Sequence, residues 1–359
     1  MSDPQKILLI QLRRIGDVLM CTPALRALRT RLPKSYIAFL TERESANLLR
    51  FNPYLSELLV WDRNRYRNPF YSIPRFWQVR KGNFDVVIDF LGNPRSAYLS
   101  FFSGAKRKIG YDLPGRRILY NTIIKNEDAR QYTALRKMKA LQPLGIESMD
   151  YQLDFFIPPE ADLFAGRFFK ENQLNDNKLI VSISPVSRRN FNRWSLERYA
   201  QLSDWLILKF NAQVILLWGP QERTVVEEVN TRMKEKPVIS QETKSLFELG
   251  AILRKCDLHI GNDNGTKHVA VAMGKPTITI YGPHDPLSWT YPDSSRHRFM
   301  KAEVDCPDCE RTKHKCTKLS CLDKITVEEV QATFLKLLKS LMQNREEGFA
   351  KKIEHIAVD

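Results

Sequence analysis

Short apolar runs and amphipathic stretches alternate along this chain, pause, and begin again; this rhythm restricts the fold more than any other feature of the 359 residues. In the first half, residues 7–12 (ILLIQL), 37–41 (IAFLT), 58–61 (LLVW) and 85–90 (DVVIDF) read as buried strands. Helical spacing follows the first of them, with Cys21, Leu25, Leu28 and Leu32 on one face, and recurs near 45–50, 74–81 and 94–102. The pattern stops at Asp154-Phe155-Phe156-Ile157-Pro158-Pro159-Glu160, which reads as a junction. It restarts with strands at 179–184, 214–218, 257–261 and 277–281 and helices at 196–209, 221–234, 246–256 and 266–274. A last helix at 327–341 places Val327, Val330, Phe334, Leu337, Leu338 and Leu341 on one face. Strands alternating with helices imply right-handed crossovers and parallel sheets. The expected fold class is therefore α/β, with two doubly wound domains at 1–155 and 156–325, a C-terminal helix at 326–345 and a tail at 346–359. Ligands of such sheets bind at the carboxyl ends of strands, so the site is expected in a cleft where the domains face each other.

Charge separates the two halves. Residues 1–150 carry 26 basic against 13 acidic residues, whereas 151–359 carry 30 against 28, so nearly the whole net charge of +15 belongs to the first half. Such a concentration suggests an acidic partner rather than general solubility. Nucleic acid is not the expected one, because the basic residues form no dense run and no helix-turn-helix, RRM or KH signature occurs. No apolar run reaches the ~18–20 residues of a membrane span, and the N-terminus is too short for a signal-peptide core before Arg13 and Arg14. The expected location is the cytoplasm.

Five motifs carry chemistry. Gln11-Leu12-Arg13-Arg14-Ile15-Gly16-Asp17 runs from a strand through a turn into a helix. Asp17 there is a candidate general base, or simply a helix cap; no dinucleotide-binding glycine fingerprint follows any strand. Asp263-Asn264-Gly265-Thr266-Lys267-His268 opens a helix whose N-terminus favours an anion. A phosphate or pyrophosphate is the expected guest, with Thr266, Lys267 and His268 within reach; the alternative is a polar turn with an N-cap. Ser187-Arg188-Arg189-Asn190-Phe191-Asn192-Arg193-Trp194 places three arginines after a strand, suited to a charged leaving group or to a solvated loop. Glu222, after Gly219-Pro220, is a candidate for ribose hydroxyls, or a residue that merely suits the helix dipole. Finally, Cys306, Cys309, Cys316 and Cys321 could close a tetrahedral zinc site. Their spacing is tighter than in common zinc ribbons, which favours reduced thiols or an oxidised pair.

Together these pieces resemble a known family. ILLIQLRRIGDVLMCTPALRALR, FDVVIDF followed by NPRS, the RW of FNRWSLERY, GNDNGTKHVAVAMGKPTITIYGP and the C-P-x-C cluster before CLDKITVEEV are similar to the lipopolysaccharide heptosyltransferases of glycosyltransferase family 9, in the same order over nearly the whole chain. The resemblance implies the GT-B fold: two Rossmann-like domains, the first for the acceptor and the second for the nucleotide-sugar. It implies inverting transfer of heptose from ADP-L-glycero-D-manno-heptose to the inner core of lipopolysaccharide.

Residue by residue, the resemblance makes Asp17 the catalytic base and Asp263, Asn264, Gly265 and His268 the donor loop, with Asn264 where Thr or Ser is usual. Glu222 matches an acidic residue near the donor ribose. Asn192 stands where many members carry a phosphate-binding lysine, leaving Ser187, Arg188, Arg189 and Arg193, with Thr266, as further donor contacts. Arg13, Arg14, Arg63, Arg95, Arg117 and Arg136 of the basic half are the expected contacts to an acidic, lipid-linked acceptor at the cytoplasmic face of the inner membrane. No Asp-x-Asp pair occurs, so catalysis is expected to need no metal and no cofactor beyond the ADP-heptose substrate. A related GT-B transferase with another donor or acceptor, or a binding module without catalysis, are the competing readings.

Overall fold

The computed structural model describes residues 5–66, 68–125, 130–243, 245–304 and 320–344, together with Lys352. The chain divides after Phe156 into two compact units. In the first, β1 (Lys6–Ile10), α1 (Ile15–Leu19), α2 (Thr22–Arg31), β2 (Tyr36–Glu42), α3 (Arg43–Ala46) and β3 (Glu57–Trp61) are followed by α4 (Pro69–Lys81), β4 (Val86–Asp89), α5 (Pro94–Phe102), β5 (Arg107–Tyr111), β6 (Thr122–Ile124) and α6 (Thr133–Lys139). The second opens with α7 (Pro159–Glu171), β7 (Ile180–Ser184), α8 (Leu196–Phe210), β8 (Gln213–Leu216), α9 (Arg223–Arg232), β9 (Val238–Ile239) and α10 (Leu246–Lys255). It continues with β10 (Leu258–Asn262), α11 (Gly265–Ala272), β11 (Thr277–Ile280), α12 (Pro286–Trp289), β12 (His297–Met300) and the C-terminal helix Val327–Gln343.

Each unit holds one six-stranded sheet, and every strand pairing in both is parallel. The orders are β3-β2-β1-β4-β5-β6 and β12-β11-β10-β7-β8-β9. Counted from the start of each unit, both are the doubly wound order 3-2-1-4-5-6. The strands read from the sequence are all present because helices cover both faces of a parallel sheet, so its central strands are buried along their length and largely apolar. In β1, Ile7 to Ile10 are all fully buried. β5, β6, β9 and β12 went unread: they are short or carry charged residues, as in RKIGY and HRFM, and lie toward the outer sides of the sheets.

Three helices depart from the expected pattern. The first amphipathic stretch is two helices, because Pro23 enters at the start of α2 and begins a new segment. The helix expected near 45–50 is only the four residues of α3. At the junction, Pro159 opens α7 as its first residue, where the missing N–H costs nothing. The C-terminal helix buries all six residues expected on its inner face and is capped reciprocally by Thr326 and Glu329. Its Phe334 packs edge-on against Trp205 and Phe210 of α8.

Two core histidines make the second unit acid-sensitive. His259 on β10 meets the Ser182 hydroxyl of β7 at 3.1 Å, and His297 on β12 meets the Thr277 hydroxyl at 3.0 Å. Burial pushes both imidazoles down to about 3. The unfolded chain takes up protons near pH 6.5 that the folded chain refuses, so stability is undiminished above that pH and falls as pH drops toward 3. The slope approaches about 1.4 kcal/mol per pH unit for each histidine. Urea denaturation followed by tryptophan fluorescence should show a lower unfolding free energy at pH 5.5 than at pH 7.5; equal values would refute the assignment.

Candidate active site

In the doubly wound order, the crevice for ligands opens where the strand order reverses, beyond the carboxyl ends of the first and fourth strands. In the first unit these are β1 and β4, and in the second β7 and β10. Three of the motifs singled out in the sequence follow β1, β7 and β10; Glu222 follows β8, and the cysteine cluster comes after β12.

Beyond β1, the chain turns through Arg13 and Arg14 into α1. Asp17 lies in its first turn, half-buried, and its Oδ2 accepts the backbone N–H of Arg14 at 3.2 Å. The carboxylate thus closes the helix start, as the cap reading expected, while standing at the mouth of β1, as the base reading requires. Beneath it lies Lys137 of α6, a lysine with only 3% of its surface exposed. Its Nζ donates to the Gln11 side chain at 2.9 Å and to the carbonyl of Phe90, so one ammonium ties the ends of β1 and β4 together. Burial pushes this ammonium down, opposed by the negative charge of Asp17. Burial also raises the Cys21 thiol to about 12, so that thiol is not a nucleophile.

Asp89, at the end of β4, accepts the N–H groups of Leu91 and Gly92 at 2.9 and 3.0 Å and the Tyr120 hydroxyl at 2.6 Å. Gly92, at φ +65, allows this tight turn. At the end of β2, buried Glu42 accepts the Tyr66 hydroxyl at 3.2 Å, and the Arg95 guanidinium lies 3.8 Å from the Tyr66 ring centre. Burial raises the Glu42 carboxyl, opposed by the charges of Arg13 and Arg63. Arg13, Arg14, Arg63 and Arg95 therefore gather around the carboxyl edge of this sheet. Arg117 pairs at the surface with Asp112 at 3.7 Å, and Arg136 of α6 lies 6.0 Å from the Tyr111 ring. Lys137 and Glu42 were not legible in the sequence: a lysine in an amphipathic stretch reads as a solvated face, and only the fold turns it inward.

In the second unit, two asparagines join the loop after β7 to the start of α11. Asn262 donates to the carbonyls of Pro185 and Val186 and accepts the N–H of Trp194 at 2.9 Å. Asn264 caps α11 through Lys267 N–H and donates to the Ser184 hydroxyl and the Val186 carbonyl, both at 3.0 Å. The loop bearing Ser187, Arg188, Arg189 and Arg193 is thereby held against a helix N-terminus. Arg188 is exposed, Arg189 lies 5.4 Å from the Phe191 ring, and Arg193 donates to the Ser187 carbonyl at 3.0 Å. Asn192 is buried, and its Oδ1 has no hydrogen-bond partner among the described residues.

Lys267 is not where the sequence reading placed it. Instead of reaching a phosphate, its side chain turns into the core, 2% exposed, and its Nζ donates to Asp263 at 2.7 Å, the Tyr281 hydroxyl at 2.9 Å and the Trp289 carbonyl at 3.1 Å. Asp263 also accepts from His284 Nδ1 at 2.8 Å. Burial alone would raise the Asp263 carboxyl, but the Lys267 ammonium and the His284 hydrogen bond hold it well below the usual carboxylate range. His268 is buried and pushed well down by desolvation, so it stands neutral beside Trp289, ring centres 6.0 Å apart. Gly265 and Thr266 are half-buried at the helix start. Glu222 accepts the Gly219 N–H at 3.1 Å, closing the turn after β8. Of the cysteine cluster, Cys306, Cys309 and Cys316 lie outside the described residues, and Cys321 is buried. No helix among the described residues is long and apolar enough to cross a membrane.

The profile of glycosyltransferase family 9 (heptosyltransferase) matches residues 74–319. The chain belongs to glycosyltransferase family 9. Its GT-B fold and its classification as a glycosyltransferase of the heptosyltransferase family follow. A lipopolysaccharide heptosyltransferase 3 of Escherichia coli is 24% identical over 286 residues, 76% of this chain and 82% of its own length. The lipopolysaccharide core heptosyltransferase OpsX of Haemophilus influenzae is 22% identical over 93% of this chain and 97% of its own. Among solved structures, a family 9 glycosyltransferase from Veillonella parvula superposes with a TM-score of 0.79 at 25% identity, covering 93% of this chain and 97% of that one. The E. coli ADP-heptose lps heptosyltransferase II shares the fold, with a TM-score of 0.69 at 18% identity over 94% and 99%.

Proposed function

We propose that this family 9 glycosyltransferase moves heptose, with inversion, from ADP-L-glycero-D-manno-heptose to the inner core of lipopolysaccharide. The observation that carries the reading is positional: an acid lies beyond β1 in one unit and an anion-favouring helix start beyond β10 in the other, each at the reversal of strand order. Relatives of comparable length that bear heptosyltransferase names supply the donor and acceptor class.

In this reading the Asp17 carboxylate takes the proton of an acceptor hydroxyl as that oxygen attacks the anomeric carbon from the face opposite ADP. The bond from that carbon to the β-phosphate oxygen breaks, and its electron pair leaves with ADP. The growing charge on the departing diphosphate is met by the N-terminus of α11 at Gly265 and Thr266 and by Arg188 and Arg189. Arg193 braces the loop, and His268, being neutral, offers a hydrogen bond rather than a charge. The free charge of the lysine usual at position 192 is replaced by these arginines, so no metal is required in this scheme. Glu222 retains a carboxylate oxygen toward ribose hydroxyls while closing its own turn. In the basic unit, Arg13, Arg14, Arg63 and Arg95 receive the phosphates of an acidic, lipid-linked acceptor at the cytoplasmic face of the inner membrane, with Arg117 and Arg136 farther along the same unit.

Incubation with ADP-heptose and truncated core acceptors, read by mass spectrometry, should add one heptosyl residue and release ADP. Turnover with UDP- or GDP-sugars instead would identify a related transferase with another donor, and no turnover with any acceptor would favour a binding module. Replacing Glu222 by alanine should raise the donor KM about tenfold, the worth of one lost hydrogen bond to a polar substrate group, with kcat little changed. An unaltered KM would return Glu222 to its turn.

A further inference from the structure

The outer faces of α4 and α5 form an aromatic surface that the first unit leaves uncovered. On α4, Phe70 is 89% exposed, Ile73 56% and Trp77 59%. Their spacing puts them on one stripe of the helix, while Val79 is buried on the other side and Phe76 packs toward the core. On α5, Tyr98, Phe101 and Phe102 are each about half exposed, whereas Ala97 and Leu99 are fully buried. The two helices share this surface. Phe102 meets Phe76 edge-on at 6.0 Å, stacks on Tyr98 at 6.4 Å and touches Phe101 at 5.3 Å. A groove of about 460 Å³ lies among Ile73, Phe76, Trp77, Arg80 and Phe102. An apolar surface of this continuity marks a docking site.

Charge selects the occupant. The two helices contain Arg75, Arg80, Lys81 and Arg95 and no acidic residue. Arg80 and Lys81 are exposed, and the Arg75 guanidinium rests 5.2 Å from the Tyr71 ring. A second copy of the chain would bring one such cationic face against another and is disfavoured. A bilayer surface with anionic headgroups satisfies both halves of the pattern: aromatic rings settle at headgroup depth, and arginines and lysines pair with lipid phosphates.

We propose that the α4–α5 face docks the protein on an anionic bilayer, with Phe70, Ile73, Trp77 and Phe102 entering the headgroup region and Arg75, Arg80 and Lys81 at its phosphates. The inference rests on the glycolipid-acceptor reading only for why a bilayer would be near; the test needs neither donor nor acceptor. Full-length protein is floated with vesicles of phosphatidylcholine alone or mixed with phosphatidylglycerol. It should float with the anionic vesicles, less so at high salt. Ile73→Asp with Trp77→Asp should lower the bound fraction about tenfold or more, and Arg80→Glu with Lys81→Glu should weaken binding to the anionic vesicles only. Both double variants should keep the thermal unfolding and the transfer rate to a short soluble acceptor of the parent protein. The proposal is overturned if the parent protein binds neither vesicle, if the variants bind equally well, or if the parent is a dimer without lipid that Ile73→Asp with Trp77→Asp makes monomeric. Vesicle binding without heptose transfer would refute the functional reading and leave docking standing; transfer without vesicle binding would do the reverse.

Discussion

Asp17→Asn is expected to lower kcat by a factor of about 10²–10⁴, the usual worth of a positioned general base, while ADP binding measured by calorimetry stays within a few-fold of the parent. The amide keeps an oxygen for the Arg14 N–H that Asp17 accepts at 3.2 Å, so the start of α1 survives. Asp17→Ala removes that bond as well and should lose a further 0.5–2 kcal/mol or so of stability, the cost of a missing cap. The two variants thus separate the roles that one side chain combines. An asparagine variant with near-parental kcat would leave Asp17 as a cap alone. Lost ADP binding would place the residue in the donor site and overturn both assignments.

Lys267→Met carries the largest expected effect on stability. The substitution leaves the Asp263 carboxylate buried without its 2.7 Å ammonium partner, and breaking a buried pair from one side costs about 3–5 kcal/mol. In a unit of this size each kcal/mol is worth roughly 2–4 °C in Tm. The pH dependence has a defined sign. In the parent, the Asp263 carboxyl is held low, so its contribution is present above the unfolded value near 3.9 and is lost as pH falls below it. In Lys267→Met the main opposition to burial is gone, leaving His284 and His268, so the carboxyl pKa rises and the deficit against the parent should shrink as the pH is lowered toward 4.5. If Lys267 met donor phosphate instead, the variant would raise the donor KM with its Tm unchanged; that result would sink the structural assignment.

Much of the architecture was legible because parallel sheets covered on both faces write their central strands as largely apolar runs. Ile7 to Ile10 could hardly be anything else, and the turns after β1, β7 and β10 announced themselves through Gly16, the arginines and Gly265. Several strands away from the sheet centres were illegible for the same reason reversed, although the LLVW of edge strand β3 was read. RKIGY and HRFM face solvent on part of their surface, so their composition resembles a loop. At the site, backbone-driven features such as the helix start at Asn264 could be read locally. Side-chain destinations could not. Whether Lys267 points at a ligand or into the core depends on Tyr281 and Trp289, which lie 14 and 22 residues away. Lys137 acquires its place through Phe90 and Gln11, 47 and 126 residues earlier. Asn262 looked like part of a turn, yet it pins the loop after β7 across a separation of up to 77 residues.

The shared strand order also has a consequence for how the chain is made. The central ladder of each sheet joins distant segments: Ile7 pairs with Val86 in one, and Val181 with Leu258 in the other. Neither ladder can close before the whole crossover between its strands has been synthesised, and such long closures slow folding. Synthesis from the N-terminus delivers every strand of the first sheet, through Ile124, before β7 exists. The ribosome therefore releases one finished sheet's worth of chain ahead of the other, and the uncovered β1 and β4 of a stalled or truncated product would be the segments most in need of a chaperone.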